Sequence, residues 1–286
     1  MEIVGRAFCH NIDGALLYFS FNNWLDSEDF LLHVITFWAG FYIQIVSYVA
    51  MQFVYRYLCL FHASIAKKFD GVRSIILILL TWIPGLIHMV LLTVLCRPDE
   101  FADEIFRDAI LEKYELEVTH LARISIIPYS SSGQTRWNQL SLLLYGVFVT
   151  FSHYSVILYC GFMMHFNMKN ELKKFSVSNQ KLQMQFFKAL IAQSIGPTLF
   201  LVFPIAPILL TPLIQPWIGI PLDWPTGWLF SMIGVFSPFD SIAFMYIVKE
   251  YTIVLKKKLC CFKSSILSVS TTTYSSEGVF KRRSET

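Results

Sequence analysis

Residues 30–61 read FLLHVITFWAGFYIQIVSYVAMQFVYRYLCLF, and more than twenty of them pass without a charge before Arg56. An α-helix rises about 1.5 Å per residue, so about twenty apolar residues cross the roughly 30 Å of hydrocarbon in a bilayer. A strand reading fails, because period-2 alternation is absent and backbone groups in lipid must be satisfied within a helix or a closed barrel. Arginine costs roughly 2.5–3.5 kcal/mol at the centre of an inserted helix. Arg56, flanked by Tyr55 and Tyr57, therefore marks a boundary, a site or both.

Four more blocks have the same character: residues 74–95, 139–164, 189–213 and 226–248, beside the first at 30–53. The 286-residue chain is 55% hydrophobic, 16% aromatic and 15% charged, too apolar for a soluble domain. The reading is an all-α membrane protein, a bundle of about five transmembrane helices. The net charge of +3 is small, and lysine and arginine cluster beside the apolar blocks, which argues against a nucleic-acid surface.

Those clusters orient the chain. Seventeen lysines and arginines fall on the side of Arg56, Lys67, Lys173 and Lys256, and six, among them Arg97, Arg123 and Arg136, on the other. The positive-inside rule puts the first side in the cytoplasm, the N-terminus outside and the C-terminus inside. Residues 1–29 read as an extracellular segment, 30–262 as the bundle, and 263–286 as a disordered Ser/Thr-rich cytoplasmic tail open to phosphorylation. Residues 14–21 are apolar but too short for a secretory signal. The acidic stretch from Asp99 to Glu117 reads as a solvated loop between the second and third helices, with a cation or ligand vestibule as the sharper alternative.

Asp240 is the one carboxylate inside an apolar block. An ionisable group there needs a partner, a proton or water, which makes it a candidate for a polar contact that changes between conformations. Pro197, Pro204, Pro207 and Pro212 interrupt the fourth block, and Pro238 stands two residues before Asp240. Each removes a backbone donor, so these helices are expected to bend. His33, His88 and His153 lack metal-ligand spacing, and no cofactor motif, nucleophile elbow, P-loop or catalytic carboxylate pair is present; the sequence reads as no enzyme and no metal protein. Cys260 and Cys261 follow three lysines after the last helix and are candidate palmitoylation sites. Cys9 and Cys96 fall on one side and could pair. Trp38, Tyr42, Gln44, Tyr145 and Trp228 could line a cavity, but no ligand-binding set is assigned.

QFVYRYLCLF at a helix end, QFFKALIAQSIGPTLFLVFP opening a proline-rich helix and FSPFDSIAFMYIVKEY in the last helix together resemble the nematode serpentine chemoreceptors of the Str type. The resemblance implies a seven-helix G-protein-coupled receptor for an odorant-like small molecule, in the plasma membrane of a sensory neuron, with a heterotrimeric G protein as partner and other receptors as candidate partners. Tyr55, Arg56 and Tyr57 stand where that family has its YRY motif, analogous to the DRY arginine of rhodopsin-like receptors. Arg56 is then expected to hold the inactive state and to meet the G protein. The chain departs from the family in having Ser241 after Asp240, where proline is common, and in supplying only helices three to seven. A truncated non-signalling fragment or accessory subunit is the main rival; a transporter or channel would need more intramembrane charge or internal repeats.

Overall fold

The computed structural model describes residues 7–21, 27–130, 132–173, 176–219, 223–247 and 253. A hairpin of β1 (Ala7–Ile12) and β2 (Ala15–Ser20) comes first, followed by α1 (Glu28–Phe61) and α2 (Val72–Leu95). Next come α3 (Glu100–Tyr114), β3 (Arg123–Ile126) and α4 (Trp137–Leu172). The chain continues through α5 (Val177–Pro197), a π-helical segment (Thr198–Val202), α6 (Phe203–Ile218), β4 (Asp223–Pro225) and α7 (Gly227–Ile247). Among the described residues, three helices are long and apolar enough to cross a membrane: α1, α2 and Trp137–Met168 within α4. The apolar helical stretches in α6 and α7 are shorter, Ala206–Gln215 and Gly234–Ile247. Helices overrun the apolar blocks of the sequence; α1 continues eight residues past Phe53 and carries the YRY motif within it.

Two glycines let α1 and α2 cross backbone to backbone. A Cβ on Gly40 of α1 would lie 2.7 Å from the Gly85 carbonyl oxygen of α2, and one on Gly85 would lie 2.5 Å from that of Gly40. Small residues let membrane helices approach backbone to backbone, where dispersion and Cα–H···O contacts hold them. α2 is interrupted at Thr81, where the missing N–H of Pro84 leaves the Leu80 carbonyl without its helical donor.

The four strands form one antiparallel sheet in the order β3-β2-β1-β4. Asp13 and Gly14 join the hairpin at φ 46° and 78°, the left-handed pair that a two-residue hairpin turn demands. Alternation along the strands gives the sheet two buried faces. Cys9, Leu16, Tyr18, Ile124 and Ile126 pack on Ile35 of α1, Leu92 of α2, Leu142 and Leu143 of α4 and Ile208 of α6. Leu17 and Phe19 pack on Ala102, Phe106 and Ile110 of α3. The sheet thus caps one end of the helix bundle, and α3 covers the sheet.

This corrects the sequence reading of the acidic stretch. It is an amphipathic helix rather than a solvated loop: Asp99 caps it by accepting from the Ala102 N–H at 2.9 Å, and Ala102, Phe106 and Ile110 recur every fourth residue on its buried face. The sheet itself is an addition that the all-helical reading did not contain. Cys9 and Cys96 are free thiols buried in the same apolar core, and burial pushes both pKa values up to about 12.

Candidate functional site

Two places concentrate polar side chains. At the end of the bundle away from the sheet, the YRY residues point in three directions. The Tyr55 hydroxyl donates to Asp70 Oδ1 at 3.2 Å, in the connection to α2. Arg56 reaches α5, where Nη2 donates to the Gln183 carbonyl at 3.4 Å and Cζ lies 5.1 Å over the Phe186 ring. Tyr57 packs on Phe61, 5.0 Å between centroids, and on Tyr159 of α4 at 6.3 Å. Arg56 enters no ion pair among the described residues. A long hydrogen bond and a cation–π contact tie α1 to α5 there, with a core of Val49, Phe53, Ile157, Met164 and Phe187 beneath them.

The rod formed by α5, the π segment and α6 carries the predicted prolines. Pro197 closes α5, Pro204 opens α6, and between them the ladder widens to the π register over Thr198–Val202. Each proline leaves the carbonyl four residues earlier without a donor, and π segments favour functional positions. The Phe200 ring of this segment lies 5.1 Å from Phe239 of α7, next to Pro238. Tyr154 of α4 and Thr198 share a hydrogen bond of 3.2 Å. Asp240 lies on the helical backbone of α7; its side chain is outside the described residues, as are Cys260, Cys261 and residues 263–286.

The second polar place is the cap. Arg123 forks onto Asp103, Nε to Oδ1 at 2.9 Å and Nη2 to Oδ2 at 2.7 Å, while Nη1 donates to the Thr119 and Leu121 carbonyls. Arg136, before α4, pairs with Asp99. His10, fully buried, places Nε2 2.8 Å from Asp223 Oδ1 and Nδ1 2.8 Å from the Tyr114 hydroxyl. Lys113 pairs with that same Oδ1 of Asp223. Burial holds the His10 pKa below its ordinary 6.5; the bond to Asp223 opposes this and the Lys113 charge adds to it. The Lys113 and His10 contacts hold the Asp223 carboxyl below the usual range against partial burial. Burial pushes Tyr114 up to about 12.

The cap also grips α6 and α7. Asn11 Nδ2 donates to the Ile208 carbonyl at 3.4 Å, a carbonyl that Pro212 deprives of its helical donor. Thr226, just before α7, donates from its N–H and its hydroxyl to the Cys9 carbonyl at 3.0 and 2.5 Å. His10, Asn11, Tyr114, Asp223 and Thr226 were not singled out from sequence. The signal for the hairpin was the Asp13-Gly14 pair between two apolar runs, and that for α3 was the four-residue spacing after Asp99.

The remaining sequence candidates are spread through the helices. His33 donates to the Asp29 carbonyl at 2.6 Å, His88 stacks on Tyr145, and His153 donates to the Val149 carbonyl and accepts from Ser47 of α1 at 3.1 Å. Gln44 is buried beside Gly85, Trp38 packs on Phe41, and Tyr145 donates to the Pro84 carbonyl at 3.1 Å.

The model of the family described as serpentine type 7TM GPCR chemoreceptor Str matches residues 1–256. The G-protein coupled receptor str-33 of Caenorhabditis elegans is 29% identical over 261 residues, which cover 89% of this chain and 74% of that receptor. No solved structure matches the chain.

Proposed function

The chain belongs to the Str family of serpentine seven-transmembrane chemoreceptors, and from that premise we propose that it transmits the binding of a small, odorant-like molecule to a heterotrimeric G protein. As a member of that family it is a multi-pass membrane receptor that transduces signals. In this reading five rods cross the bilayer, namely α1, α2, α4, the α5–α6 rod and α7, equivalent to the family's helices three to seven. The cap lies outside the plasma membrane and the YRY end in the cytoplasm, in agreement with the charge count.

The observation that carries the reading is the bridge from Arg56 to Gln183 and Phe186. It joins the helix with the YRY motif to the helix that closes at Pro197, at the end opposite the cap. A ligand shifts such a bundle only by binding one conformation better than the other. The prolines and the π segment let the lower part of the rod swing while its upper part stays under the cap. Swinging breaks two weak contacts and leaves the guanidinium free for the G protein. Asp240, beside Pro238, is proposed as a polar contact that changes with the swing, and Cys260 and Cys261 as lipid anchors beside the lysines.

The test is signalling from this chain expressed alone in cells, with a panel of volatile small molecules and equal surface amounts of the native and Arg56→Ala proteins. Ligand-evoked signal from the native chain, lost in the variant, supports the reading. Surface chain that signals only beside a second receptor favours the accessory-subunit alternative.

A further inference from the structure

The cap holds the helices unequally. Its contacts with α1 and α2 in the shared core are apolar and α4 adds the bond from the Ile127 N–H to Gln139 Oε1, whereas α6 and α7, besides apolar packing through Ile208 and Met232, are tied to it by the hydrogen bonds of Asn11 and Thr226 and by the pairing of β4 with β1. β4 is three residues long and directly precedes α7. Its one side-chain anchor among the described ion pairs is Asp223, which holds both His10 and Lys113 on a single oxygen.

The hydrogen positions at His10 follow from its partners. An ionised carboxylate only accepts, so Nε2 carries the hydrogen and donates to Asp223. Nδ1 then accepts from the Tyr114 hydroxyl. The ring is neutral, with both nitrogens satisfied and no exposure to water. A proton added at Nδ1 conflicts with this arrangement twice. It faces the Tyr114 oxygen, whose own hydrogen must then turn away from the imidazole and give up that bond. It also sets an imidazolium and the Lys113 ammonium against one carboxylate oxygen.

The other charged groups near this face of the sheet do not relieve the conflict. From α3 come Lys113 and Tyr114, from β4 Asp223, and from β2 the apolar Leu17 that pairs with His10. Arg123, two strands away, is neutralised by Asp103. We infer that the His10–Tyr114–Asp223–Lys113 cluster is a proton-binding site at the cap, and that proton uptake there frees β4, and with it the start of α7, from the sheet. Freed, His10 returns towards its ordinary value of 6.5 from the lowered one it has when clasped. The released state binds more protons, so the clasp is intact above about pH 6.5 and weakens as pH falls through the interval down to the clasped value. Asp223, also held low, contributes in the same direction only in stronger acid. The inference does not rest on coupling to a G protein.

The experiment is hydrogen–deuterium exchange of the full chain in lipid nanodiscs at pH 7.5 and 5.5, with exchange times scaled for the chemical rate. The expected result is a loss of protection of up to about tenfold at residues 7–12 and 223–227 in acid, with α1 unchanged. His10→Gln removes the titrating ring and abolishes the difference. Where that buried substitution prevents folding, Lys113→Met, at a partly exposed side chain, removes the competing cation and shrinks the acid response. Equal protection at both pH values in the native chain overturns the inference, as does an undiminished acid response in whichever variant folds.

Discussion

Arg56 and Arg123 are both held by α-helical partners, yet their surroundings give them opposite roles. Arg56 faces a carbonyl and a ring, contacts that break cheaply. A cation–π contact of about 1 kcal/mol corresponds to roughly a fivefold shift between two states. Phe186→Leu is therefore expected to raise ligand-independent signalling by about that factor, while Arg56→Ala abolishes the evoked signal at unchanged surface amount. A reporter assay on both variants reads the difference. Arg123 meets Asp103 through two parallel hydrogen bonds at side-chain exposures of 10% and 15%. Removing one partner of a buried pair leaves an uncompensated charge, so Arg123→Met should cost the cap roughly 3–5 kcal/mol. The loss would appear as exchange of the β2–β3 amides, with the Arg56 end unaffected. Arg56 stood out in the sequence because it ended an apolar run. Arg123 did not, since only the folded cap brings Asp103 across twenty residues to meet it.

Among the elements, the α1–α2 crossing and the π segment carry opposite mechanical demands. Gly40 and Gly85 leave no room for a Cβ, and the atoms in the way are backbone, which cannot turn aside. Gly40→Ala or Gly85→Ala should therefore destabilise the bundle by roughly 1–3 kcal/mol, read as a lower unfolding temperature in detergent. Pro197→Ala should act the other way. It restores a donor to the ladder at the edge of the π segment, so the rod stiffens, unfolding shifts upward and the ligand-evoked response falls.

The long helices were readable in sequence because lipid demands long apolar runs, and the prolines because they lack a donor. The cap was not. AFCHNI and ALLYFS are six-residue strands with both faces buried, so they show no alternation of apolar and polar residues. β4 has three residues and exists only through its pairing with β1. The acidic composition of α3 masked a four-residue apolar period that places Phe106 and Ile110 against the sheet.

Across the whole molecule, the two ends differ in how firmly the helices are joined. At the cap, one sheet draws residues from before α1, between α3 and α4 and between α6 and α7, with apolar cores on both faces. At the other end, Arg56 spans α1 and α5 with two weak contacts above a core rich in methionine and phenylalanine. In the proposed mechanism a movement of the α5–α6 rod is taken up at the loosely joined end. The direct measurement is the distance between spin labels at Ser64, after α1, and Ser178, at the start of α5, by double electron–electron resonance on the full chain in bilayers. It is recorded alone and with a nucleotide-free heterotrimeric G protein. The G protein is expected to populate a second, longer distance that Arg56→Ala does not show. One unchanged distance distribution in the native chain under both conditions would overturn the proposed mechanism.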